Sequence, residues 1–263
     1  MTNSRLFRVA RVQADSPSHR ARLGLACLSI VLSVSACAQT RQPPTSAASA
    51  TGGTPPTPAT GARVASTTVP VPGACSERRT GPSDAVGCYM AGAEQIGVAP
   101  ETPLYWHLYA YPTRAAAETA RRARGTVAEA HGRVWLFTIA DQAWQPSGGE
   151  RIAVVGPLPL TPGRVYAAHY IEGVVPPEAR TPVHRHPGPE AWFVLEGAQC
   201  LETPDGVKVL RAGDSYVVRE GPPMQLSGIA PGVRRSLALV LHDAAQPWTI
   251  PTSDWTPKQT CPR

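Results

Sequence analysis

Short apolar segments separated by turn residues follow one another from about residue 151 onward. Pro204-Asp205-Gly206, for example, lies between two such segments. Gly, Pro and Asp favour turns, and several short strands at close spacing are typical of a sandwich or barrel. The pattern therefore predicts a mainly β region over residues 151–245. The strands expected in it are residues 151–155, 165–171, 191–195, 207–210, 215–218 and 237–241.

Residues 74–150 have a different pattern. Residues 103–111 and 134–139 are apolar and aromatic, as strands often are. Between them lies the alanine-rich segment 114–124, which follows Thr113, a residue type that favours helix N-termini. We therefore expect a small α+β region over residues 74–150.

The N-terminus has the features of a secretory signal. Residues 1–22 contain five arginines and one acid, and residues 23–36 form an apolar run that ends in small residues. This order is typical of exported proteins. The run has 14 residues, fewer than the roughly 20 that a membrane-spanning helix needs. Residues 1–36 are therefore expected to be a signal peptide.

Val34-Ser35-Ala36-Cys37 resembles the lipid-attachment motif of bacterial lipoproteins. The resemblance implies that Cys37 becomes the lipidated first residue of the mature chain and that its acyl chains anchor it to a membrane. Ala38, rather than Asp, resembles the signal for the outer membrane. The implied location is the cell envelope, at the outer membrane and facing the periplasm.

A linker is expected over residues 37–73. Residues 38–73 contain no aromatic residue and no acid, and they are rich in Pro, Thr, Ala, Ser and Gly. Such a segment cannot bury enough apolar surface to fold by itself. It is long enough to hold a folded region away from the lipid headgroups.

Net charge gives no reason to expect nucleic acid as a partner. The whole chain carries +6, but residues 1–36 account for +4 through five arginines and one aspartate. The remainder carries only +2. This near balance makes no electrostatic case for nucleic-acid binding.

The remaining cysteines predict disulfides. Four are left once Cys27 goes with the signal peptide and Cys37 takes the lipid, and an even number in an oxidising compartment favours pairing. These four are Cys75, Cys88, Cys200 and Cys261. Three pairings are possible; we favour the short loop Cys75–Cys88, with Cys200–Cys261 attaching the C-terminal tail. A zinc site is disfavoured because the four contain no C-x-x-C pair.

One polar cluster carries candidate metal chemistry. His184 and His186 are two residues apart, so on a strand both point to the same side. Pro187-Gly188-Pro189 then forces a turn, and Glu190 opens the next strand, from which it can reach that side. Two imidazoles and one carboxylate form the triad that suits Fe(II), and the same donors suit Mn, Ni or Zn.

The spacing of His184, His186, Glu190 and Gly197 is H-x-H-x3-E-x6-G. It resembles the first motif of the cupin superfamily, and the resemblance covers roughly residues 150–245. It implies a cupin-type antiparallel jelly-roll barrel with the metal inside, and a homodimer formed through sheet edges is a possible assembly.

The match to the family's motifs is incomplete. Glu178 stands where the first motif has glycine. In the second motif Gly213 and Gly221 fall in place, but Met224 stands where the last metal-binding histidine is usual. A thioether is a poor ligand for Fe(II), Mn or Ni, although it suits Cu(I). Met224 is therefore only a doubtful fourth ligand.

Other side chains are expected to have structural roles. His169 is expected to pack within its strand, and His242 to lie in solvent at a strand end. Tyr216 and Gln225 are candidates for lining the barrel cavity. The tryptophans of the tail, residues 246–263, are expected to dock it over apolar surface.

Three kinds of function fit these observations. The triad favours a metal-dependent enzyme that acts on a small molecule. The methionine in the second motif and the long linker favour a non-catalytic binding or sensing lipoprotein with a metal-free cavity. A structural role in the envelope is a third possibility, but no sequence feature marks it. Fold does not choose a reaction, so the substrate stays open.

Overall fold

The computed structural model describes Cys75 and residues 85–122 and 124–262. The chain divides into two compact units, and all described residues lie in the second, Thr60–Arg263. The expected signal peptide, lipid-attachment cysteine and linker lie outside the described residues. Within the described part, no helix is long and apolar enough to span a bilayer.

The described residues are mainly β, as predicted, with one helix. In chain order the elements are β1 (Gly87–Val98), β2 (Leu104–Tyr111), α1 (Arg114–Arg121), β3 (Thr126–Ala130), β4 (Arg133–Ala140), β5 (Glu150–Leu158), β6 (Val165–Val175), β7 (His184–Arg185), β8 (Glu190–Glu196), β9 (Ala198–Thr203), β10 (Gly206–Arg211), β11 (Ser215–Val218), β12 (Gln225–Ile229), β13 (Arg234–Asp243) and β14 (Ile250–Pro251).

Two antiparallel sheets form a jelly-roll-like arrangement. The five-stranded sheet, which we call the central sheet, has the order β1-β6-β13-β8-β11. The second sheet has the order β10-β9-β12, and the short pair β14-β7 is connected to it by an isolated bridge between His184 and Met224. Side chains from both sheets share one apolar cluster that includes Trp192, Leu201 and Leu226. We call the face of the central sheet that bears Trp192 its inner face.

A third sheet, which we call the outer sheet, packs on the opposite face of the central sheet. Its order is β3-β4-β2-β5. The predicted helix is present: the Thr113 hydroxyl accepts a hydrogen bond of 3.2 Å from the backbone N–H of Ala116. The helix ends at Arg121, earlier than expected, because Arg122 turns into the left-handed region with φ of 54°.

The boundary expected near residue 150 does not separate the sheets. β5, expected as the first strand of the barrel region, pairs with β2 in the outer sheet. β1, which was not predicted, pairs with β6 in the central sheet. Alternation of polar and apolar residues identifies a strand but not its partner, and β1 lacks a clean alternation because glycines and two register shifts interrupt it.

Both faces of the central sheet are buried, and their side chains alternate. On the outer face, Tyr170 packs against Trp106 and Phe137 of the outer sheet, with ring centroids 6.3 and 4.9 Å apart. On β13, Leu239 belongs to this outer cluster and Val240 to the inner one. Burial on both sides explains why the middle of β13 is continuously apolar instead of alternating.

Two disulfides join distant parts of the described chain. Cys75 is bonded to Cys88 of β1, and Cys200 of β9 is bonded to Cys261. This is the pairing that the sequence favours. The second bond closes a separation of 61 residues, so it attaches the C-terminal tail covalently to the three-stranded sheet.

Candidate metal centre

The two histidines of the triad lie at the short strand β7. His184 and His186 are 0% and 1% exposed, whereas Arg185 between them turns outward and forms an ion pair with Asp254. This is the alternation that an extended segment imposes. Glu190 begins β8 after the predicted turn and is also buried, at 2% exposure.

The three side chains converge on one point. Their candidate ligand atoms all lie within 4.8 Å of one another. Nε2 of His186 and Oε2 of Glu190 are 3.1 Å apart. Two donor atoms that each lie about 2.1 Å from one ion, at right angles, are separated by about 3 Å. The spacing therefore fits two ligands of a single ion.

Hydrogen bonds leave the converging atoms free to act as ligands. Nδ1 of His184 lies 2.9 Å from the carbonyl oxygen of Pro182, and Nδ1 of His186 lies 2.6 Å from that of Trp248. Because a carbonyl oxygen only accepts, each Nδ1 donates and each Nε2 of the neutral rings carries a lone pair. Among the described residues, both Nε2 atoms and Oε2 of Glu190 are buried without a hydrogen-bond partner. Three such lone pairs fit a cation between them.

Charge and burial shift the two imidazoles in opposite directions. Burial, and then the neighbouring His186, lower the pKa of His184. Burial also acts against a charged His186, but the Glu190 carboxylate and the Trp248 carbonyl outweigh it and raise the pKa of His186. In the metal-free protein a proton can therefore occupy the contact between His186 and Glu190, and a metal ion would have to displace it.

Met224 lies directly across from His184. The backbone N–H of each residue donates to the carbonyl of the other, at 2.8 and 3.1 Å. The methionine side chain is 1% exposed and belongs to the apolar cluster with Trp192 and Leu226. Its surroundings are those of a packed core side chain, and the polar donors of the site come from the triad.

The C-terminal tail covers the triad. The Trp248 ring stacks near His186, with centroids 6.2 Å apart, and lies 5.1 Å from the ring of His169. His169 in turn stacks on His242 at 5.0 Å. The expectation that His242 lies in solvent is wrong, because it is 6% exposed on the inner face of β13. Alternation from Val240 would have placed it there.

The backbone explains the motif positions. Gly197 has φ of 69°, and a Cβ on it would lie 2.7 Å from the carbonyl oxygen of Val233. Only glycine meets both conditions easily. Glu178, where the family motif has glycine, also has a positive φ of 66°. The departure therefore keeps the backbone shape, at a conformational cost of about 1–2 kcal/mol.

Of the two cavity-lining candidates, Tyr216 lines a cavity of about 360 Å³ with Leu201 and Val218, away from Glu190. Tyr216 is 36% exposed and packs against Lys208, because β11 is an edge strand of the central sheet. Nε2 of Gln225 donates to the carbonyl of Thr181 at 2.9 Å. This bond fixes the segment that leads into β7.

Comparison with known proteins supports the cupin superfamily for the part of the chain that bears the triad. The Cupin domain family model matches residues 172–227, about a fifth of the chain. The match includes all three triad residues and the methionine across from them. No curated protein matches the chain.

Solved structures with local likeness include two cupins and a lyase, each 20% identical over the matched part. A cupin-2 domain protein from Shewanella frigidimarina matches 27% of this chain and 68% of its own, with a TM-score of 0.24. For a cupin-like protein from Thermotoga maritima the shares are 34% and 67%, with a TM-score of 0.30. A DMSP lyase from Ruegeria pomeroyi matches 32% of this chain and 43% of its own, with a TM-score of 0.29. Likeness of this extent carries no information on function.

Proposed function

We propose that this chain is a metal-binding cupin protein that holds one divalent transition metal through His184, His186 and Glu190 and acts on a small molecule. The observation that carries the proposal is the set of three buried donor atoms within 4.8 Å of one another, none of which has a hydrogen-bond partner outside the triad among the described residues. Buried polar atoms are costly unless they are partnered, and one cation at the centre would partner all three.

The donor set fits Fe, Mn, Zn, Ni or Cu, since imidazole nitrogen and carboxylate oxygen are ligands for each of them. When bound, a metal held by three protein ligands supplies open positions at which a substrate oxygen can be polarised. The chain's own contribution is orientation. The carbonyls of Pro182 and Trp248 fix both ring tautomers, and the buried surroundings exclude bulk water from the site.

The protein is further proposed to act outside the cytoplasm, attached to the outer membrane through a lipid on Cys37. The sequence of residues 1–37 carries this part of the proposal. Both disulfides support it, because such bonds persist in oxidising compartments.

A second candidate function is metal-free binding of a small molecule. Two observations favour it: the Met224 side chain packs among apolar residues, and a proton can bridge His186 and Glu190 in place of a metal. In this case the same cavity would bind a ligand and perform no chemistry.

Metal content separates the two candidates. The full chain is exported, extracted in detergent and purified without chelator or nickel affinity, beside His184→Ala/His186→Ala. We expect near-stoichiometric metal in the wild type and a loss of at least about a thousandfold in affinity in the variant, because two of three ligands are gone. His169→Gln, which removes a nearby imidazole outside the triad, is expected to retain the metal. A folded wild type without metal would contradict the first proposal and favour the second.

A further inference from the structure

Arg234 at the start of β13 is a buried cation inside the barrel. It is 5% exposed. Its Nη1 donates to Oε1 of Gln199 at 2.5 Å and to Oγ of Ser236 at 2.6 Å. Both partners are neutral, and the ion pairs among the described residues do not include this arginine. The next residue, Arg235, shows the usual alternative, because it pairs with Glu196 at 3.2 Å.

Among the residues that the structure describes, no counterion contacts the charge of Arg234. Burial lowers the pKa of Arg234 to about 10, and the negative charge of Glu190 opposes that shift. The guanidinium thus stays charged at neutral pH. A metal at the triad would engage the same carboxylate and leave the arginine uncompensated. Nε of Arg234 and Nε2 of Gln199 are also buried without a hydrogen-bond partner in the described chain.

A cavity lies between this arginine and Glu190 of the triad. It has a volume of about 40 Å³, and Arg234, Ser236 and Glu190 all line it, with Trp192 and Ala238 among the apolar residues of its wall. A water molecule needs about 10–15 Å³ on the same scale. The cavity therefore accommodates about three to four non-hydrogen atoms, the size of acetate.

We infer that the jelly roll binds a small organic acid of about the size of acetate, whose carboxylate lies against Arg234 and Ser236 and whose other end faces Glu190 and the metal. The assignment deepens the proposed function, and only its orientation toward the metal rests on it. A carboxylate supplies what the cavity lacks: a negative charge for a buried guanidinium and acceptors for unpartnered N–H groups. A phosphate or sulfate, with five non-hydrogen atoms, exceeds the space.

The probe is acetate, with acetamide as its neutral isostere. Binding to the full chain is measured by calorimetry and by the shift in melting temperature, on chelator-treated protein and on protein loaded with Zn²⁺. We expect acetate, and not acetamide, to bind the wild type. Arg234→Gln should weaken acetate binding about tenfold or more, because it removes a charged hydrogen-bond donor. Arg235→Gln, its matched control, should leave acetate binding unchanged.

Gly173→Ala tests the same cavity while the arginine and its charge are kept. Its added Cβ would lie 3.2 Å from Oγ of Ser236 and 3.3 Å from Nη2 of Arg234, so it should obstruct the subsite and weaken acetate binding. Without acetate, Arg234→Gln should melt no lower than the wild type, since it removes an unpaired buried charge. Equal affinity of wild type and Arg234→Gln for acetate, or no acetate binding in either metal state, would overturn the inference. Acetate binding by a protein that takes up no metal would support the subsite and refute the metal centre alone.

Discussion

The two faces of the central sheet use neighbouring residues of the same strands for opposite purposes. On β6, Tyr170 faces the aromatic cluster of the outer sheet, whereas His169 next to it faces inward and stacks on His242. On β8, Ala191 faces outward, whereas Glu190 faces inward as part of the triad. The outer face thus carries the aromatic interface and one buried carboxylate, Glu172, which accepts from the backbone N–H of His131, and the inner face carries the triad and Arg234. Because successive side chains of a strand point to opposite faces, residues that pack against the outer sheet can be changed separately from residues that face the triad.

The variant with the largest expected effect shortens a side chain that packs on the outer face of the central sheet. Trp106→Ala removes a fully buried ring that packs on both Phe137 and Tyr170. We expect the free energy of unfolding to fall by about 3–5 kcal/mol. Metal bound per folded molecule should not change, because Trp106 lies on the opposite face from the triad. Denaturant unfolding and metal analysis of the folded fraction measure the two effects.

A loss of metal from folded Trp106→Ala would break the comparison, since it would mean that the two faces are energetically coupled. Phe137→Leu is the milder companion variant. It keeps apolar volume in the same cluster and should cost less stability, again with metal retained.

The sequence predicts the local features of the molecule better than the features that depend on strand pairing. The triad is predictable because His184, His186 and Glu190 lie within one short segment, where alternation and a single turn decide their directions. Strands β8, β11 and β13 are predictable because each contains its own continuous apolar run. These features need no knowledge of which strands pair.

Features made by distant segments are not predictable in this way. Arg234 reaches the cavity beside Glu190 only through the pairing of β13 with β8. Trp248 reaches His186 only through the path of the tail. Neither residue belongs to a local motif, and a charged residue at the start of an apolar strand is ordinarily interpreted as solvent-exposed.

A second variant, with an expected effect of intermediate size, changes the C-terminal tail where it contacts the inner face. In Trp248→Ala the tail loses the ring that packs beside His186 and His169. The carbonyl that orients His186 is then held less firmly, and loss of such an orienting contact typically costs 10–100-fold in metal affinity. We expect a loss of about tenfold, measured by competition with a chromophoric chelator. Trp255→Ala, a change of equal size in the same tail, should leave the affinity unaltered; an equal loss in both would assign the effect to the tail as a whole.

The smallest expected effect concerns the imidazole on the inner face outside the triad. Burial, and then the charge of His242, lower the pKa of His169 to about 4, below its ordinary value near 6.5. The unfolded chain therefore binds a proton at this site more readily than the folded chain, so stability is highest above pH 6.5 and decreases as the pH falls toward 4. Because His169 is only partly buried, we expect its share to be about 1 kcal/mol. Unfolding of metal-free wild type and His169→Gln at pH 7 and pH 4.5 measures that share together with the coupling of His169 to His242, since the histidines that do not contact His169 contribute equally to both proteins. The free energy of unfolding should fall less between pH 7 and pH 4.5 in the variant than in the wild type. An equal fall in both proteins would mean that His169 is solvated and that the inner face does not shield it from water.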